Sequence, residues 1–359
     1  MKKLVSKLRK KQPVEEPAAR ITTDTLAEHR EKVLAGGRKF KYPVQYQRHK
    51  LVINAMIIGA VALVLLIALA WYMLYMARNT SEFMYRVTRV VPAPVAVVDG
   101  EQVRYSDYLL KYRGAAHFLI EKGQIDANSA DGKSQLEYVK NQSLDDAIAD
   151  AYAQKLAREL DVVVTDADVE AALQAQRQLS EGDYTESTQT TVLMDYYGWT
   201  IGEYREIMRD KLLRQKVAYA VDAHAEDVAK GIEEKVKAGN VDLKKIADEL
   251  NAAEASTVAY GPAEWVPRNN QDGGLAEAAG KLSKGQVSTK IKRTSGDGYY
   301  YVKLVDSNEN NVQYEYIQVP LKEFDAQLVQ IEKDNKLTRF IKLEQPEETA
   351  AKETTDQTN

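Results

Sequence analysis

Hydrophobic and polar positions follow different periods in different parts of the chain. From Leu51 to Met76 the run LVINAMIIGAVALVLLIALAWYMLYM carries no charge and one strongly polar residue, Asn54. It is longer than the ~20 apolar residues a helix needs to cross hydrocarbon. It also closes on Trp71, Tyr72 and Tyr75, amphipathic rings of the kind that settle at a membrane–water boundary. The pattern predicts a transmembrane helix over 51–76. A cleaved signal peptide would instead have a shorter apolar core nearer the N-terminus, followed by a small-residue cleavage site.

After Pro92 and Pro94, Val95 to Val98 read as a strand, Asp99-Gly100 as a tight turn and Gln102-Val103 as the returning strand. A helix is expected from Ser106, a residue type suited to an N-cap, with Leu109, Leu110, Tyr112 and Phe118 on its apolar stripe. The polar stretch Gly123 to Lys133 interrupts it. Leu144, Ile148, Tyr152, Leu156 and Leu160, with Ala147 and Ala151 beside them, then mark one face of a long helix. Thr165 with Asp168 fits a capping pattern that opens another helix through Val169 and Leu173. Gln178 to Thr191 reads as a polar, mobile connection. Tyr204, Ile207, Met208, Leu212 and Val217 define a helix starting after Gly198-Trp199-Thr200.

A second unit follows. Val228, Ile232 and Val236 lie on one helix and Leu243, Ile246, Ala247 and Leu250 on the next, with Gly239 between them. Beyond the loop RNNQDGG, Leu275 to Leu282 reads as a short helix, Gly285 as a turn, and Val287 to Ile291 and Tyr299 to Val305 as short strands. Val312 to Leu321 alternates like a further strand. The fold class expected is α+β: one transmembrane helix, a mostly helical module with a small hairpin, then an α/β domain with a small antiparallel sheet.

Charge adds orientation. Residues 1–50 hold 14 Lys or Arg against 5 Asp or Glu, and basic residues favour the cytoplasmic side of a span. Residues 1–50 therefore read as a basic cytoplasmic tail. Removing that +9 from the whole-chain charge of −4 leaves −13 for residues 51–359, a poor partner for nucleic acid. The absence of cysteine excludes disulfides, thiol catalysis and thiolate metal sites. His29 and His49 fall in the tail, and His117 and His224 have no ligand partner in a metal motif, so no metal and no cofactor are expected. The polar 342–359 stretch reads as a disordered tail.

The order of pieces from Val95 to about Val221, namely Val-Val-Asp-Gly-Glu-Gln-Val, Ser106-Asp107-Tyr108, Leu-Asp-Asp-Ala-Ile from Leu144, and Val-Val-Val-Thr-Asp-Ala-Asp from Val162, resembles the N-terminal chaperone module of SurA-type and PrsA-type foldases. Residues 225–325 resemble a divergent parvulin (PpiC-like) rotamase domain. Trp265, Leu282, Gly285, Val287, Ser288, Gly298, Tyr299, Val302, Lys303 and Leu304 fall in step with that family's pattern. The resemblance implies a small apolar groove around a polar cluster, for which Trp265, Leu282, Tyr300 and Tyr316 are the candidate residues. It also implies two histidines, but Tyr300 stands where the second is expected, and the stretch around His224 is too polar for the opening strand that carries the first. Residues 312–319 look like that opening strand displaced to the far end of the domain, with Tyr316 at the histidine position. A permuted sheet, with 312–319 beside 299–305, is the expectation. The same tyrosines also read as ordinary strand residues, and Trp265 as a packing residue.

These implications favour a membrane-anchored, extracytoplasmic chaperone or foldase that holds unfolded or exported polypeptides near the export machinery. The alternatives are an active prolyl isomerase, a reaction whose barrier of ~18–20 kcal/mol makes a catalyst useful, and a non-catalytic platform of an envelope complex.

Overall fold

The computed structural model describes residues 22–41, 43–179, 182–254, 257–293 and 296–344. Residues 1–21 of the basic tail and 345–359 of the expected disordered tail lie outside them. The chain is α+β and divides into two compact units, Met1–Met73 and Leu74–Asn359.

In the first unit, α1 (Thr23–Lys41) makes the later half of the basic segment helical, and α2 (Pro43–Trp71) starts eight residues before the apolar run. Nothing between Pro43 and Lys50 breaks a helix, so the backbone continues through the change from polar to apolar side chains. Among the described residues one helical stretch, His49–Met76, is long and apolar enough to cross a membrane; its most apolar window has a mean hydropathy of 2.8 and is unburied, while Leu74 near its end is buried.

The second unit begins with α3 (Glu82–Val90), capped by Ser81, whose hydroxyl accepts from the Met84 amide at 3.4 Å. The expected hairpin follows as β1 (Pro94–Val98) and β2 (Glu101–Arg104). Asp99 and Gly100 both take positive φ, 45° and 85°, which is what a two-residue type I′ turn requires. Next comes α4 (Tyr105–His117), which starts without a side-chain cap. Ser106, expected as that cap, is buried one position inside and donates to Asp107 at 2.9 Å. The long helix α5 (Ala130–Glu159) is capped by Ser129 and so starts well before Leu144. Its buried face carries Leu144, Ala147, Ile148, Ala151, Tyr152 and Ala157, while Leu160 is exposed. Strict spacing by four drifts around a helix of 3.6 residues per turn, and the stripe leaves the core by that point.

After α6 (Asp166–Arg177), whose cap pairs Thr165 and Asp168 as expected, the described residues of the supposed connection 178–191 carry regular structure. A two-residue ladder joins β3 (Gln178–Leu179) to β4 (Gly182–Asp183), and α7 (Glu186–Tyr197) follows. Thr185 caps α7, and Gly198 ends it at φ 64°. The run of threonines hid this helix; it forms because it buries Gln189 and Leu193 and because tertiary contact overrides weak propensity. A Thr200–Glu203 capping box opens α8 (Ile201–Val221).

The remaining elements are α9 (Ala223–Lys237), α10 (Leu243–Ala253), β5 (Ala259–Pro267), α11 (Leu275–Gly280), β6 (Ile291–Lys292), β7 (Gly298–Ser307), β8 (Asn311–Pro320), α12 (Glu323–Lys333) and β9 (Leu337–Arg339). The strand expected at Val287 to Ile291 shrinks to β6, with Val287 making only an isolated bridge to Lys303. Four strands form an antiparallel sheet in the order β5-β8-β7-β6. On one face Ala225, Ala229 and Ile232 of α9 and Leu243, Ile246 and Ala247 of α10 pack on Tyr299, Tyr301, Ile317 and Val319. On the other, Leu275, Ala276 and Ala279 of α11 pack on Tyr300, Val302, Leu304, Val312 and Tyr314. Alternation along β7 and β8 supplies both faces.

Residues beyond 221 also pack on the helical module. Strand β9 pairs with β1, Ala96 opposite Arg339 and Val98 opposite Leu337, giving a sheet of order β2-β1-β9. Helix α12 returns to the helices: the Phe324 ring sits 5.6 Å from that of Tyr152, and the Tyr152 hydroxyl donates to Gln327 at 2.9 Å. Residues 322–325, expected at the end of the α/β domain, therefore belong with the helices, and Lys342 to Glu344 continue the chain there, with Asn141 donating to the Glu344 carbonyl at 2.8 Å. The correction has a simple cause: residues 337–341 find their partner more than two hundred positions away, beyond the reach of local pattern.

Candidate functional site

The α/β part holds a cluster of phenols on its α11 face. Asp272 caps α11, its Oδ1 accepting from the Leu275 and Ala276 amides at 2.8 and 3.1 Å, and its Oδ2 accepts from the Tyr314 hydroxyl at 2.6 Å. The Tyr300 hydroxyl donates to Asp297 at 2.9 Å and accepts from Arg293 at 3.1 Å. Burial chiefly, with Asp297 adding to it and Arg293 opposing, pushes the Tyr300 phenol up to about 12. Burial and then Asp272 raise Tyr314 as well. The Tyr316 ring lies 5.8 Å from Tyr300 and 6.3 Å from Tyr314. Tyr316 reaches that position because Gly261 on β5 leaves room; a Cβ there would stand 2.1 Å from the ring.

Of the residues singled out from the sequence, Leu282, Tyr300 and Tyr316 meet in this cluster. Trp265 does not. Its neighbour Val266 packs into the cluster, so alternation turns Trp265, opposite Gln313, toward the other face, where it is 49% exposed. Asp272, Arg293, Asp297 and Tyr314 were missed, although the spacing of Asp272 from Leu275 carried a readable capping signal.

The helical module carries a second candidate surface. Trp199, held by donation of its indole N–H to the Leu110 carbonyl at 3.1 Å, stacks on Tyr197 at 4.7 Å and on Tyr204 at 6.0 Å. Phe118 continues the array 5.7 Å from Tyr197. Gly114 permits the close approach of α4, since a Cβ at that position would meet the indole at 2.1 Å. Phe118, Tyr196 and Met194 stay exposed. Beside this shelf lies a cavity of about 330 Å³ lined by Lys111, Asp150, Trp199, Ile207, Lys211 and Arg214 among others. An adjoining one of about 180 Å³ shares Lys111 and Ile207 and includes Asp107 and Asp210. Asp150 is buried, with Lys111 at 2.5 Å and Arg214 at 3.5 Å. An array of partly exposed rings next to a lined cavity can hold an apolar segment of another chain without nucleotide or metal chemistry.

Residues 45–218 match the SurA-like N-terminal domain. Over 109 residues the chain is also 32% identical to the foldase protein PrsA of Clostridium tetani (strain Massachusetts / E88), covering 30% of this chain and 29% of that protein's length. The chain is thus similar to SurA/PrsA-type proteins. The SurA-like match includes the Trp199 array, and β9 and α12, which complete the fold around that module, lie outside it.

Burial, with Asp150 adding to it, raises Asp210 to about 6. A carboxyl whose folded value lies above its unfolded one contributes stability that is full below the unfolded value and lost as pH rises through the folded one. Here the loss runs from about 3.8 to about 6. Asp210→Asn should therefore raise stability by on the order of 2 kcal/mol at about pH 8 and change little near pH 4, read from denaturant midpoints at the two pH values.

Proposed function

We propose that this chain is a foldase-type chaperone anchored by residues 51–76, with the basic N-terminal segment in the cytoplasm and the second unit outside it, where it holds exported polypeptides emerging near the export machinery. The observation that carries this reading is the SurA-like match over a module with an exposed aromatic shelf beside a cavity. Holding is loose per unit area because an extended client loses conformational freedom when held, and tethering offsets this by raising local concentration.

Within this reading residues 223–321 form a permuted parvulin-like domain. The support is that β8 lies between β5 and β7, with Tyr316 opposite Val302 and its ring against Tyr300. An opening strand supplied last in sequence would occupy that position. The same cluster keeps an isomerase as the second reading. Its phenols are a different kind of group from the expected histidines: with Tyr300 near 12, it stays protonated around neutrality and serves as a hydrogen-bond donor.

The test uses the purified full chain in lipid nanodiscs. Suppression of aggregation of an unfolded client, with no acceleration of isomerisation in a proline peptide, is the expected result. Acceleration lost in Tyr300→Phe would make the protein an isomerase. Failure in both assays, with one protein co-purifying in fixed stoichiometry, would leave the platform and defeat the proposal.

A further inference from the structure

Helix α3 has two apolar faces, and the protein covers one of them. Met84, Tyr85 and Thr88 are buried. The Tyr85 ring lies 4.6 Å from the Arg113 guanidinium of α4, and its hydroxyl accepts from Arg89 at 2.9 Å. That face fixes the helix to the module. On the opposite side Phe83 is 66% exposed and Val90 82%, with half-buried Val87 between them and Val91, 62% exposed, just past the last turn. Positions 83, 87 and 90 share one narrow stripe at helical spacing. Arg86, which is exposed, flanks the stripe and pairs with Glu82, and Arg78 precedes the helix.

Position along the chain determines what can cover this stripe. The apolar stretch ends at Met76 and the helix is capped at Ser81, and the Tyr105 hydroxyl already donates to the Leu74 carbonyl at 2.9 Å and the Tyr75 hydroxyl to the Pro94 carbonyl at 2.8 Å, so no more than residues 77–81 separate α3 from the apolar stretch. Five residues span at most about 17 Å, and the headgroup layer beyond the hydrocarbon is itself several ångströms thick. If residues 51–76 cross a membrane, α3 cannot leave that membrane's surface. An apolar stripe edged by arginines, held there by the backbone, has the composition of an interfacial helix.

We infer that α3 lies in the outer membrane–water interface, with Phe83, Val87 and Val90 seated at the headgroup–acyl boundary and Arg78 and Arg86 among the lipid phosphates. The occupant of the stripe is the lipid surface. The consequence is a second attachment of the folded unit, beyond its covalent tether, that restricts how the helical module faces the membrane. This rests on the anchored reading proposed above.

The chain contains no cysteine, so a single introduced thiol reports its own position. An environment-sensitive fluorophore is attached to Phe83→Cys, Val90→Cys, Leu63→Cys within the span, or Lys237→Cys at the exposed end of α9, in the full chain reconstituted in phosphatidylcholine–phosphatidylglycerol nanodiscs. Some of the lipids carry a quencher just below the glycerol and, in a second preparation that reads position 63, near the end of the acyl chain. The expected result is blue-shifted emission with loss of intensity to the lipid quencher at 83 and 90, and neither at 237. Water-like emission at 83 and 90 with strong quenching at 63 overturns the inference and leaves the anchor intact. Blue-shifted but unquenched emission at 83 and 90 shows that protein covers the stripe, and overturns it too. Absence of quenching at 63 removes the anchor, and the inference with it.

Discussion

A chain ending at Asn335 should unfold at a much lower denaturant concentration than one ending at Glu344. The shorter chain lacks β9, and with it the amide of Phe340 that donates to the Val95 carbonyl at 2.9 Å and the Lys336 carbonyl that accepts from Asp99 at 2.9 Å. It also lacks Ile341, which is 2% exposed. Val95 and Val98, fully buried in the complete sheet, would sit on an open edge. Emptying an isoleucine site alone costs about 2–5 kcal/mol, and the lost ladder adds to this, so about 4 kcal/mol or more is expected. The measurement is urea unfolding in detergent followed by far-UV circular dichroism, with protease sensitivity of the 94–104 hairpin as a local readout. If both chains unfold at the same midpoint, the helical module is complete by residue 221, as its sequence pattern alone implied.

Asp222→Ala should produce a loss of similar size through a different mechanism. Asp222 is buried where the chain passes from α8 into α9, and it ties that crossing to the return crossing a hundred residues later. Its Oδ1 accepts from the Ala225 amide at 2.8 Å, and its Oδ2 accepts from the Lys322 and Glu323 amides at 2.7 and 3.1 Å. One carboxylate thus caps α9 and the entry to α12 together. Removing it leaves the buried Ala225 amide and the part-buried Lys322 and Glu323 amides without this acceptor, at about 1–3 kcal/mol for a buried unsatisfied group, and a total of roughly 3 kcal/mol is expected after water repairs part of the loss. Asp222→Asn, which keeps an acceptor on one side, should fall between alanine and wild type. Denaturant midpoints and amide hydrogen exchange at Lys322 and Glu323 read the effect, and unchanged protection at those two amides would refute the latch.

These two sites show how legibility divided. The apolar run 51–76, the Asp99-Gly100 turn, the Thr165–Asp168 cap and the alternation of β8 are local matters of period, charge and backbone preference, and each could be read residue by residue. Two of the three phenols, Tyr300 and Tyr316, were singled out by the resemblance to the parvulin pattern, in which they stand where histidines are expected. Trp265 lies apart from the cluster because the sequence does not show which face of β5 meets α11. The helix at 186–197 was missed because its threonine-rich sequence is a weak helix former, and packing of Gln189 and Leu193 decides it.

The α+β class, a segment long and apolar enough to span a membrane, and the order of most helices and strands follow from the residues alone. Those depend on interactions among residues a few positions apart. Only the tertiary structure decided that residues 337–341 finish a sheet begun at 94, that Asp222 binds two distant crossings, and that one face of α3 stays uncovered. The first two depend on pairings across a hundred residues or more, and the third on which face of α3 meets α4. Closing such loops costs entropy that grows only slowly with their length, so the chain can form these pairings while the local pattern carries no trace of them.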